Sequence, residues 1–74
     1  MNKEGREKIS NILSKLDEIV DEIDTLKDEE QEKFDNIPEQ LQEGDPAQAI
    51  LNIVEDLEAA SSSLEDVKGY LDNI

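Results

Sequence analysis

Seventy-four residues give room for one domain, and 21 acidic residues against seven basic ones leave a net charge of −14. Cysteine and histidine are both absent, which removes disulfide staples, thiolate and imidazole zinc sites, and the Ser-His and Cys-His arrangements of nucleophilic catalysis. A chain this short buries little surface and needs a staple or a partner to be comfortably stable.

So acidic a chain is repelled by phosphate backbones and by anionic membranes, whereas basic protein surfaces attract it. No stretch has the apolar length of a transmembrane helix or of a signal-peptide core. The composition therefore predicts a cytoplasmic, non-enzymatic protein without cofactor or metal, whose partners are basic proteins rather than nucleic acid or lipid. The charge is uneven: residues 1–16 carry a net +2, and residues 17–74 a net −16.

Along the chain, Ile9, Ile12, Leu13, Leu16, Ile19, Val20, Ile23 and Leu26 recur in steps of three and four, the period of an amphipathic helix. On a seven-residue repeat lettered a to g, Ile9, Leu16 and Ile23 fall at a, Ile12, Ile19 and Leu26 at d, and Leu13 and Val20 at e. The pattern predicts a helix over about 3–35. At its end, Pro38 biases Ile37 away from helical backbone. Asn36 is then a cap for a short helical turn over about 37–42, with Glu39 at the spacing of a reciprocal bond. Ile37 and Leu41 are expected to plug the end of a hairpin, and Gly44 to terminate the turn.

A second helix is predicted over about 46–73, with Asp45 as N-cap, Pro46 in its first turn and Gln48 at capping-box spacing. Ile50, Leu57, Leu64 and Leu71 occupy a, and Ile53, Ala60, Val67 and Ile74 occupy d. The fold class is all-α, an antiparallel helical hairpin. An a/d seam leaves Leu13, Val20, Leu51 and Val54 wet in a lone hairpin, so a homodimer closing a four-helix bundle is expected. Its oligomer seam would use Ile9, Leu16, Ile23, Leu57, Leu64 and Leu71.

The string DEEQEKFDNIPEQLQ at residues 28–42, followed by the amphipathic second helix, resembles a group of small acidic helical proteins encoded by bacteriophages and prophage-bearing bacteria. Glu29, Glu30, Asp35, Asn36, Ile37, Pro38, Glu39, Leu41 and Gln42 carry that resemblance. It implies an α-hairpin in a phage-linked setting and lends weight to inhibition of a host protein as the task. It brings no catalytic residue with it.

The functional candidate read from the residues themselves is an acidic ridge. Asp17 and Asp24 fall at b and Asp21 and Asp28 at f, lining one outward ridge opposite the apolar stripe that Glu32 and Asp35 continue. Like charges three and four apart weaken an isolated helix, a cost that alternating Glu and Lys would have avoided. Calcium or magnesium binding is disfavoured, because no EF-hand loop occurs and ligands along a straight helix cannot wrap an ion. Duplex DNA carries about one charge per 1.7 Å. A dimer with twice the 14 net charges over a bundle of about 50 Å would carry about one per 1.8 Å. Two readings follow: a nucleic-acid-mimicking inhibitor of a basic, nucleic-acid-binding host protein, or a helical interaction module without mimicry. The run AASSS at 59–63 reads either as a docking notch or as a small-residue packing layer, the second being preferred.

Overall fold

The computed structural model describes residues 1–74. Helix α1 spans Lys3–Asp35 and helix α2 spans Asp45–Asp72, joined by a corner holding one 3-10 turn at Glu39–Leu41. The two helices pack side by side in a rod of 59 × 15 × 12 Å. Asp17 on α1 meets Lys68 on α2, and Asp24 meets Ser61. Seven residues forward on one helix thus match seven backward on the other, which is an antiparallel pair held on a seven-residue repeat.

Each helix end follows from its own residues. Asn2 caps α1, its side-chain oxygen accepting from the Gly5 N–H at 2.8 Å. At the other end Asn36 closes α1 instead of opening the next turn: its N–H donates to the Glu32 carbonyl at 3.0 Å, and its backbone is still helical. The reciprocal bond expected between Asn36 and Glu39 is absent, because the turn starts after Pro38 and has no side-chain cap. Gly44 has an extended backbone rather than a left-handed one, so the corner is turned without positive φ. Asp45 is the first residue of α2 and not its cap, and its carboxylate lies in the first turn, where the helix dipole favours a negative charge.

The corner is tied by two glutamines. Gln42 Nε2 donates to the Ile37 carbonyl at 3.0 Å, and Gln48 Nε2 donates to the Gln42 carbonyl at 2.9 Å, so Gln48 serves the corner rather than a capping box. Ile37 is half-buried as a plug, whereas Leu41 is 60 % exposed. That exposure corrects its expected role: Ile37, which precedes the turn, covers the helix ends, and Leu41, the last residue of the turn, is left facing water.

The seam also differs from the a/d expectation. The three buried residues are Val20, Ala47 and Val54, all at e, and the half-buried Ile9, Leu16, Ile23, Ile50, Leu57, Leu64 and Leu71 are all at a. The helices therefore pack on a and e. Ile12, Ile19, Leu26, Ile53, Val67 and Ile74, at d, are between 42 % and 53 % exposed. Leu13 and Leu51, also expected to be wet, are half-buried. Side chains at a and e are 40° apart around a helix of 3.6 residues per turn and those at a and d 60°, so either pair can face a partner. What favours a/e here is that e offers Val20, Val54 and the small Ala47 and Ser61, which admit a close approach of backbones.

Gly69 lies inside α2 with open space where a Cβ would stand. Replacement by Ala adds no clash and removes the unfolded-state freedom of glycine. Gly69→Ala is expected to raise stability by about 0.5–1 kcal/mol, read as a higher midpoint in urea with an unchanged slope.

Candidate functional site

Packing on a and e divides the acidic ridge into two rows. Asp17 and Asp24, at b, lean over the seam. Asp17 forms an ion pair with Lys68, and Asp24 Oδ1 accepts from Ser61 Oγ at 3.0 Å. These two carboxylates do not project freely outward, as the repeat alone suggested; they tie α1 to α2. The outer row keeps the expected orientation: Asp21, Asp28, Glu32 and Asp35 are exposed. Asp35 accepts from Gln31 at 3.0 Å, while Asp21, Asp28 and Glu32 stand in no ion pair.

Because b of α1 reaches e of α2 across the seam, the b rows of both helices border one broad face. Glu58 and Glu65 on α2 thus join Asp17, Asp21, Asp24 and Asp28 on α1. Sequence reasoning confined the ridge to α1 and missed this contribution. The signal for it was Lys68, the only base in α2, placed at e, where a cation can reach carboxylates of both helices. Glu65 lies 3.3 Å from it. Across the whole chain only Glu4, Asp17, Glu30 and Glu65 among the 21 acidic residues lie within ion-pair distance of a base.

Of the residues assigned to an oligomer seam, Ile9, Leu16, Ile23, Leu57, Leu64 and Leu71 lie half-buried between the two helices of one chain. Ser61 is the one residue of AASSS that packs against α1, while Ala59, Ala60, Ser62 and Ser63 are exposed. No cluster of three or more acidic side chains converges as metal ligands would, and no helix is long and apolar enough to cross a membrane. A cleft of about 450 Å³ opens at the corner between Ile37, Leu41, Pro46 and Ala47. A smaller one of about 160 Å³ lies at the open end between Ile9, Leu13 and Leu71.

Two lysines have shifted acidities. The hydrogen bond to Asp17 holds the Lys68 ammonium above its ordinary 10.5, with Glu65 adding to it and partial burial opposing it. Glu30, by hydrogen bond and by charge, does the same for Lys33. No protein-family model, curated protein or solved structure matches the chain.

A raised lysine pKa contributes stability that is complete below the unfolded value and is lost as pH rises through the folded one. Lys68→Met keeps much of the stem and removes the charge. Its melting temperature should lie below the parent's by a constant margin from pH 7 to about pH 9.5, and the margin should close above the ordinary 10.5. Paired thermal melts across that range check the sign.

Proposed function

We propose that the protein binds a basic surface of another protein through its acidic face, in the manner of a nucleic-acid mimic, and thereby inhibits a nucleic-acid-binding protein of a bacterial host. The observation that carries this reading is the outer row of Asp21, Asp28 and Glu32, exposed and without a basic partner. Of the seven bases, Lys3, Arg6, Lys8 and Lys15 precede Asp17, Lys33 pairs with Glu30, Lys68 pairs with Asp17 and Glu65, and Lys27, at e, is in no ion pair. Fourteen net charges over 59 Å amount to about one per 4 Å, against one per 3.4 Å for a single DNA strand. A rigid helix holds the carboxylates in place, so binding would cost little ordering entropy. The likeness of the 28–42 corner to small acidic phage proteins supports a host-directed, cytoplasmic setting.

A second reading is a helical interaction module without mimicry. It is favoured by the exposed apolar row at d, because contiguous apolar patches mark contact surfaces.

The test is capture from a bacterial lysate with the parent and with the Asp21→Asn, Asp28→Asn, Glu32→Gln triple variant, which leaves the Asp17 and Asp24 ties intact. Mimicry predicts a nucleic-acid-binding protein that duplex DNA elutes, that salt releases steeply, and that the variant retains at least tenfold less well. A partner held equally by the variant and in high salt would refute mimicry and support the apolar module.

A further inference from the structure

In an antiparallel pair packed on a and e, the d rows of both helices turn to the same side of the rod, opposite the acidic face. Ile12, Ile19 and Leu26 from α1 and Ile53, Val67 and Ile74 from α2 thus form one exposed apolar strip, narrowed at Ala60 and bounded at the corner end by Lys33, which is also at d. The residues that edge it, at g, are sorted by charge. Lys8 and Lys15 stand toward the open end, and Glu22, Glu29 and Asp56 toward the corner. Lys15 has no ion-pair partner within the chain.

We propose that this strip is a homodimer interface on which a second copy lies with its corner over the first copy's open end, closing an antiparallel four-helix bundle. The proposal is independent of mimicry, which uses the opposite face.

Three observations commit the strip to a second copy in this orientation. The first is size: stacking two rods overlaps faces of 59 by 15 Å, about 900 Å², close to the roughly 800 Å² per partner of a standard stable interface, with the apolar strip forming the middle, about 32 Å long at 1.5 Å per residue. The second is shape. Opposite-end stacking centred between Ile19 and Leu26 sets Ile19 against Leu26 of the second copy and Ile12 against the aliphatic stem of Lys33, and it brings Ile53 within two residues of Ile74 and bulky Val67 within two residues of small Ala60, by the register of the Asp17–Lys68 and Asp24–Ser61 contacts.

The third is charge, and it selects the orientation. Opposite-end stacking lays α1 on α1 and brings Lys15 of each copy level with Glu29 of the other, two opposite pairs that outweigh the single meeting of Glu22 with its own copy at the centre, and Asp56 level with the Tyr70 hydroxyl, which is free to donate because Tyr70 is 77 % exposed. Same-end stacking lays α1 on α2. It brings Glu29 level with Asp56 and leaves Lys15 facing only Tyr70. Two like-charged pairs with no opposite pair to offset them disfavour that arrangement.

The chain has no cysteine, so engineered thiols report the orientation directly. Light scattering coupled to size exclusion at micromolar concentration should give twice 8.3 kDa. Ile19→Glu, on the exposed row, should give the single-chain mass with helicity kept. On mixing Lys15→Cys and Glu29→Cys chains under mild oxidation, a disulfide joining positions 15 and 29 should dominate. A fully helical parent of 8.3 kDa would overturn the proposal, as would an unchanged dimer mass for Ile19→Glu. Cross-linking of Glu29→Cys to Asp56→Cys in preference to Lys15→Cys would overturn the orientation.

Discussion

A hairpin of two helices has a single internal surface, and the rotation of each helix about its own axis decides what that surface contains. Here the rotation puts Val20, Ala47 and Val54 inside. Everything else on the molecule is assigned by that choice. The b carboxylates come within reach of α2, the f carboxylates face water, and the d row is left apolar and uncovered. Side chains at a contribute a half-buried border, so removal of apolar area from water is spread thinly along about 59 Å of rod instead of being gathered in one core.

Against that thin core stands the charge. Seventy-four residues with an excess of 14 negative charges repel themselves, and folding concentrates them. The polar contacts across the seam oppose this locally. Lys68 sits between a carboxylate of each helix, and Ser61 occupies one lone pair of Asp24. Both contacts act at the edge of the apolar seam and fix its register, since a shift of one residue along α2 would break both at once. Of the acids that take no part in this, Asp21, Asp28 and Asp35 face away from the apolar strip, and Glu22, Glu29 and Asp56 edge it. One rod thus presents two surfaces of opposite character.

Most of the fold was legible in the sequence because periodicity and end signals are local. Steps of three and four from Ile9 to Leu26 located α1 over its full length, and Pro46 located the start of α2 to within one residue of Asp45. The seam was not legible, because both helices carry an apolar stripe three positions wide, and a stripe of that width satisfies an a/d and an a/e pairing alike. The choice depends on what stands opposite, such as small Ser61 against Asp24. The corner was misread for a related reason: Asn36 has the chemistry of a cap for either the helix behind it or the turn ahead, and the backbone continues helical through it. Of the acidic ridge, its existence was legible, while the split into tying and free carboxylates followed only from the rotation of the helices.

Ile53 and Val54 are neighbours in sequence that the rotation separates, one 46 % exposed and the other 5 % exposed. Far-UV circular dichroism of Ile53→Asp and Val54→Asp at the same concentration measures that separation. A charge inside the seam has no partner and is strongly disfavoured, so Val54→Asp should lose most of its helical signal, and Ile53→Asp should keep it. Loss of the helix in Ile53→Asp with Val54→Asp intact would place the d row in the seam and contradict the account.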